Sequence, residues 1–124
     1  GTHIGMFLAW ALISGLAGEI LIEDSSEDIQ KVLDRKMTGT EFLLRNLDGK
    51  LIDEDLNDEG NAFASAYYSS EEDSILNVFY LEDYANIITI DMESFYHLED
   101  SWENFDKLKP YIDANYEIWR RLTA

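Results

Sequence analysis

The sequence predicts an all-α fold: a compact, single-domain bundle of about five to six helices around an apolar N-terminal helix. Residues 4–13 contain no charged side chain. Apolar side chains would cover every side of a helix formed there, so this helix should be central and surrounded by others. Further along, apolar residues recur at three- and four-residue spacing, which is typical of helices. A length of 124 residues fits one domain, 1–124. Because residue 1 is Gly and not Met, we expect the natural polypeptide to be able to extend upstream.

The first two predicted helices are defined by their capping residues. The first spans residues 2–14, with Thr2 as its N-cap and Gly15 at the C′ position, where glycine commonly ends a helix. The second begins at Ser25, because acidic residues occupy the following turn and apolar residues follow at helical spacing.

Two shorter helices should follow. Thr38 or Thr40 can cap a third helix, and Asp48 with Gly49 forms a turn that closes it. A fourth helix is predicted over residues 61–68. Its apolar face would consist of Phe63, Ala66 and Tyr67.

The remaining elements are less uniform in pattern. Residues 75–90 combine β-branched side chains with helical spacing, so the pattern favours a helix but leaves a short hairpin open. Asp100 or Ser101 can cap a turn, and Pro110 is tolerated at the first position of a terminal helix. The apolar stripe of that terminal helix would be Ile112, Tyr116, Trp119 and Leu122.

Charge restricts the classes of partner. The formal net charge is −17, and residues 51–106 hold 16 Asp or Glu and no Lys or Arg. Such a field repels phosphate backbones and anionic lipid, so we expect no nucleic-acid and no membrane binding. A basic protein is a compatible partner. The alternative is that the acids only keep the protein in solution.

The chain has no cysteine, which excludes disulfides, thiolate zinc sites and cysteine nucleophiles. A cytoplasmic location is therefore the default expectation. The apolar run at residues 4–13 would rise only about 15 Å as a helix, too little to cross a bilayer core of about 30 Å. A signal peptide would need a basic residue ahead of that run, and none is present.

The run DEDLNDEG at residues 53–60 has oxygen-bearing side chains like those of a calcium-binding loop. A loop that starts at Asp55 does place Gly60 sixth, but Ala66 occupies the twelfth position, which needs a bidentate Glu. We therefore interpret the run as a helix-capping acidic loop, and we predict neither a metal site nor a cofactor.

No residue pattern identifies a catalytic residue. The two histidines are His3 and His97, and only His97 has a carboxylate at helical spacing, Asp100. No activated serine, no glycine-bounded nucleophile turn and no phosphate-binding glycine motif accompanies them. We therefore predict no catalytic residue and interpret both histidines as structural.

The aromatic residues suggest a binding face. Of 16 aromatic residues, 13 lie from Phe63 onward, which overlaps the stretch 51–106 where all charge is negative. Aromatic side chains interspersed with carboxylates can all belong to the core. Alternatively, some of them can also form a surface that binds a cationic protein. In the second case we expect exposed acids to steer the partner and Trp102 or a nearby tyrosine to anchor it. The candidate protein-binding residues are Asp53, Glu54, Asp55, Asp58, Glu59, Trp102 and Glu103.

Three strings carry a resemblance to known proteins. They are THIGMFLAWAL at residues 2–12, residues 53–68, and SWENFDKLKP at residues 101–110. Together they resemble a family of small uncharacterised bacterial proteins, a domain of unknown function. The resemblance implies no activity, so no catalytic residue can be transferred from it.

Three functions remain open. Small acidic bacterial proteins of unknown function are often immunity proteins that neutralise a cationic toxin, which is an argument by analogy. The alternative is a helical adaptor or regulatory domain that binds another protein. A metal-dependent hydrolase using His97 and nearby carboxylates is the third.

Overall fold

A computed structural model of the chain describes residues 2–67 and 101–123, which form five α-helices and one 3-10 turn. In these two ranges extended structure is limited to one isolated antiparallel bridge, between Ala17 and Leu56. The predicted all-α fold is confirmed. The prediction for residues 75–90 lies outside the described residues. The elements are α1 (Thr2–Ile13), α2 (Glu19–Leu33), α3 (Gly39–Asn46), the 3-10 turn (Asp53–Asp55), α4 (Asp58–Tyr67) and α5 (Trp102–Thr123).

The chain divides into two compact units. The first comprises Gly1–Asn61 and Asp100–Trp102, and the second comprises Ala62–Glu99 and Glu103–Ala124. Within the first unit α1 packs mainly on α3 and also on α2. The single-domain organisation stays a prediction.

Helix α1 is the core helix that its composition predicts. Phe7, Leu8 and Trp10 are each at most 1% exposed, and the Phe7 and Trp10 ring centroids lie 5.8 Å apart. The helix ends in a Schellman motif, in which the backbone N–H of Leu16 donates to the Ala11 carbonyl at 2.9 Å. Gly15 has φ +77°, so the prediction of a C′ glycine is confirmed.

Helices α1 and α3 approach each other through small residues. A Cβ atom on Gly39 would overlap the carbonyl oxygen of Gly5 and lie 2.9 Å from the Cβ of Ala9. A Cβ on Gly5 would in turn overlap Thr40. The backbones meet so closely only because both positions lack a side chain.

Helix α2 begins earlier than the predicted start at Ser25. It begins at Glu19, after Gly18 as N-cap, and Ser25 lies inside it with non-helical angles of φ −132° and ψ 26°. Gly18 offers no side-chain cap, so its role leaves little trace in the sequence. Ser25, a residue type favoured at N-caps, instead marks a kink between two helical segments.

Helix α3 is capped by Thr38, one of the two caps that the sequence allowed. The Thr38 hydroxyl accepts from the backbone N–H of Glu41 at 3.2 Å, and the Glu41 side chain returns to the backbone N–H of Thr38. This is a capping box, which satisfies two otherwise unpaired donors. Asp48 and Gly49 both have positive φ, so the predicted closing turn is confirmed.

Helix α4 begins at Asp58, three residues earlier than predicted, because the Asn57 side chain caps it by accepting from the backbone N–H of Gly60 at 2.8 Å. In the second unit the buried Phe63 stacks on Tyr67 at 5.2 Å between centroids, and Trp119 lies 5.6 Å from the same Phe63 ring. The predicted apolar face of this helix is therefore largely confirmed, although Ala66 is only partly buried.

Helix α5 corrects the placement of Pro110. The proline lies inside one continuous helix of 22 residues and does not begin a terminal one. The buried residues keep helical spacing on both sides of Pro110. The packing of this one apolar stripe therefore offsets the main-chain hydrogen bond that the proline cannot donate. Leu122, predicted on this stripe, is exposed. The buried residues of α5 are Phe105, Leu108, Ile112 and Trp119.

Candidate protein-binding surface

Four exposed acids lie on one well-anchored segment of the first unit. We call this segment, residues 53–59, the acidic turn; its exposed acids are Asp53, Glu54, Asp58 and Glu59. Main-chain hydrogen bonds tie it to the connection between α1 and α2. The N–H of Gly18 donates to the Asp55 carbonyl at 2.9 Å, and the N–H of Asn57 donates to the Leu16 carbonyl at 2.9 Å.

Side-chain amides tie the two halves of the acidic turn together. The Asn61 amide, in the first turn of α4, donates to the Asp53 carbonyl at 2.9 Å and to the Leu56 carbonyl at 3.2 Å. The Asn57 amide donates to the Gly15 carbonyl at 3.4 Å. The exposed carboxylates are therefore presented from a backbone that several hydrogen bonds hold in place.

Asp55 differs from the four exposed acids. Its residue is only 7% exposed, and a carboxylate oxygen accepts from the backbone N–H of Ile52 at 2.8 Å. Burial raises the pKa of Asp55, although the Ile52 N–H acts against it. The expectation that the acids of this segment are all exposed is thus wrong for Asp55, whose carboxylate instead bonds within the turn, to the Ile52 N–H.

The two other candidate residues lie at the start of α5. The ring of Trp102 is partly buried, and the Arg35 guanidinium lies over it, 4.8 Å from its centroid. This is a cation–π contact within the first unit. Glu103 is exposed in the first turn of the helix. The structure therefore groups the four acids of the turn, and it gives Trp102 an intramolecular cationic neighbour.

A groove that sequence analysis did not predict runs beside the acidic turn. It has a volume of about 610 Å³ and lies entirely within the first unit. It is bounded by the first half of α2, the end of α3 with the following turn, and the 3-10 turn. We call it the α2–α3 groove; its lining residues are Ile20, Leu21, Asp24, Ser25, Asn46, Leu47, Asp48, Lys50, Ile52, Glu54 and Asp55.

The α2–α3 groove combines apolar and acidic walls. Ile20 and Ile52 are each 54% exposed, and Leu21 is buried. Asp24, Glu54 and Asp48 are exposed acids, whereas Lys50 is the one cation among the lining residues. Such a surface suits a ligand that carries both apolar groups and positive charge.

A second depression of about 420 Å³ adjoins the groove and shares Asp24, Ser25 and Asn46 with it. Its wall contains a polar network. The Ser25 hydroxyl donates to the Asn46 side-chain oxygen at 3.2 Å, and the Asn46 amide donates to the Asp28 carboxylate at 3.0 Å. The kink of α2 is thereby bonded to the last residue of α3.

Asp28 is the buried charge of this network, with only 8% of its surface exposed. The Asn46 amide, together with the charges of Arg45 and Lys31, holds the pKa of Asp28 below its usual value, against the opposing effect of burial. The Arg45 Nε lies 3.2 Å and the Lys31 Nζ 3.5 Å from the carboxylate. Asp28 is therefore a satisfied, charged structural group.

The structure gives no geometry for metal chemistry in the ranges that it describes. Within residues 2–67 and 101–123, no three or more His, Asp or Glu side chains are grouped as a metal site would require. His3 lies partly buried in α1, and this burial lowers its pKa. His97 and Asp100 lie outside the described residues. Among the described helices, none is both long and apolar enough to cross a membrane.

The chain matches a known protein family. A family model described as "Domain of unknown function (DUF7832)" matches residues 1–98. The chain belongs to this family. The predicted membership in a family of unknown function is confirmed, and the string at residues 101–110 lies beyond the matched range. No curated protein and no solved structure matches the chain.

In this DUF7832 domain the groove escaped sequence analysis for a physical reason. Its walls come from two stretches that are distant in sequence, residues 20–25 and 46–55, and Ile20 and Ile52 look like ordinary core residues when read locally. The one local signal is Ile20 next to the buried Leu21, with Ile22 also half exposed. Apolar residues on opposite sides of a helix cannot all face the same core.

Proposed function

We propose that this DUF7832 domain binds a cationic protein, and that in its specific form it is an immunity protein that neutralises a cationic toxin. The observation that carries the proposal is the acidic turn: four exposed carboxylates on a segment anchored by main-chain hydrogen bonds, in a chain with net charge −17. A fixed backbone lets these charges act together on an approaching partner.

Charge of this kind acts mainly on the rate of association. A one-signed field raises the on-rate of an oppositely charged partner about 10- to 1,000-fold at low salt, and salt screens the effect within about 10 Å at 0.1 M. The groove beside the turn then supplies apolar contact, which slows dissociation. The residues that speed association of the partner and those that slow its dissociation would thus lie in neighbouring parts of one unit.

The immunity role is tested by co-expression with the product of the reading frame next to this gene. That product should stop growth of the host, and the DUF7832 chain should restore growth. A neighbouring product that leaves growth unchanged, or growth arrest that the chain does not relieve, would contradict the immunity role.

A charge variant tests the mechanism on the purified pair. Replacing Asp53, Glu54, Asp58 and Glu59 by Asn or Gln changes the net charge from −17 to −13, since four acids are neutralised. The association rate at low salt should fall about tenfold, and its salt dependence should flatten. Stopped-flow fluorescence at two salt concentrations measures both quantities.

The matched control removes the same charge elsewhere. Its four exposed acids lie outside the acidic turn: Glu23, Asp34, Asp106 and Glu117. This control should keep an on-rate close to that of the wild type, because local field and not net charge governs steering. If association slowed equally in both variants, the acids of the turn would contribute only general charge that keeps the protein in solution.

The α2–α3 groove favours a second candidate, an adaptor domain that binds a peptide segment of another protein. An adaptor would bind its partner through the groove without relieving toxicity. The co-expression experiment separates the two candidates, since only an immunity protein restores growth.

A further inference from the structure

We propose that the α2–α3 groove is a docking site for a partner segment that presents a Lys or Arg side chain beside apolar side chains. This inference rests on the proposed protein-binding function and adds the place of contact and the chemistry of the partner. It holds for a toxin or for an adaptor target alike.

The apolar part of the proposal comes from the groove rim. Ile20 and Ile52 line the same groove from different segments, and each exposes 54% of its surface. Leu21, which also lines the groove, is buried. A partner that covers both isoleucines removes their exposed surface from water, which stabilises the complex.

The cationic part comes from the balance of charge around that rim. Asp24, Asp48 and Glu54 are exposed in the lining, against Lys50. A second copy of this chain is disfavoured as the occupant, because each copy carries a net charge of −17. A lone divalent cation is disfavoured too, since the described residues contain no grouped set of metal ligands.

The shape of the groove favours a polypeptide over a small molecule. Small-molecule sites commonly bury about 70–90% of the ligand in a closed cleft. Here the rim side chains stand half exposed, and the 610 Å³ groove continues into the 420 Å³ depression through shared residues. An occupant that extends along both must be elongated.

The probe for the test is a 12-residue amphipathic peptide of Lys and Leu, titrated into the full ¹⁵N-labelled chain. Binding should shift backbone amide signals of the groove at residues 20–25 and 46–55. Two double variants test the two contributions. Ile20→Gln with Ile52→Gln removes apolar contact, and Asp24→Asn with Asp48→Asn removes charge. Each should weaken binding about tenfold.

The control variant is Ile22→Gln with Leu44→Gln. Both residues are exposed, 49% and 65%, and neither lines the groove. This variant should bind the probe like the wild type. A peptide of Lys and Gly, and one of Glu and Leu, should each bind at least tenfold more weakly than the probe, because each lacks one of the two contributions.

Three results would overturn the inference: no binding of the probe by the wild type, signals that shift outside the groove, or equal weakening by groove and control variants. These results leave the proposed function standing if the toxin partner still associates and acidic-turn substitutions still slow it. Growth that is not rescued, together with probe binding in the groove, would instead reject the immunity role and keep the docking site.

Discussion

Helix α3 meets its two neighbours in opposite ways. Against α1 it presents Gly39 and Thr40, and the two backbones approach so closely that no Cβ fits at Gly39. Against α2 its last turn presents Arg45 and Asn46, and these make an ion pair and a hydrogen bond to Asp28. One contact relies on shape and the other on polar partners.

The two ends of this eight-residue helix therefore differ in the substitutions that they tolerate. The α1 contact tolerates no added atoms, because interiors are close-packed and backbone cannot give way as a flexible side chain can. The α2 contact tolerates changes in volume but requires that each buried polar group keep a partner. The α2–α3 groove lies at the second end, where the surface can vary.

The largest effect is expected at the first contact. Gly39→Ala should lower the free energy of unfolding by about 3 kcal/mol or more, because the new Cβ would overlap the Gly5 carbonyl. The gain in helix propensity from Gly to Ala is at most about 1 kcal/mol and does not offset it. Urea denaturation measures the change.

Gly15→Ala is the matched control for Gly39→Ala. Its φ of +77° strains an alanine, but a Cβ there would meet no atom within 4 Å. It should therefore cost only about 1 kcal/mol. Equal losses at the two glycines would contradict the close approach of α1 and α3.

An intermediate effect is expected at the second contact. Asn46→Ala removes the amide that donates to Asp28 and the oxygen that accepts from Ser25. Leaving such groups unpaired typically costs about 1–3 kcal/mol. Asn115→Ala is the control, since the Asn115 amide donates to the Tyr111 carbonyl much as that of Asn46 donates to the Phe42 carbonyl. A loss at Asn46 no larger than that at Asn115 would contradict the network.

The smallest effects should appear as opposite pH dependences at Asp28 and Asp55. The pKa of Asp28 is lowered, so its charge stabilises the fold above the ordinary pKa of about 3.9, and this contribution is lost as pH falls through the lowered value. The stability advantage of the wild type over Asp28→Asn should therefore shrink in acid.

For Asp55 the sign reverses. Burial raises its pKa, so ionisation weakens the fold above the raised value, and this penalty disappears as pH falls through it. The stability of the wild type relative to the Asp55→Asn variant should therefore increase as the pH falls. Thermal melts of the three proteins from pH 7 to pH 3 measure both trends, and parallel trends for the two variants would refute the assignment.

The sequence was sufficient where a local signal and the tertiary structure agree. The capping box of Thr38 and the C′ glycine at Gly15 were predictable, because each depends on residues within a few positions. The apolar run of α1 was enough to predict a buried helix. These features need no knowledge of what the helix packs against.

The sequence was insufficient where tertiary contacts override a local preference. Ser25 resembles a helix start, but its hydroxyl bonds to Asn46, 21 residues away, and it forms a kink inside α2, whose first segment already begins at Glu19. Pro110 resembles a boundary, but α5 continues because its buried stripe crosses the proline in register. Asp55 resembles its acidic neighbours, and only the fold distinguishes it as buried.

The anchorage of the acidic turn has a consequence for evolution. The bonds from Gly18 to Asp55 and from Asn57 to Leu16 join main-chain atoms, which every non-proline residue possesses. Substitutions can therefore change the exposed side chains at positions 53, 54, 58 and 59 without loss of the hydrogen bonds that hold the turn. The surface charge of such a segment can therefore change without any rebuilding of the core.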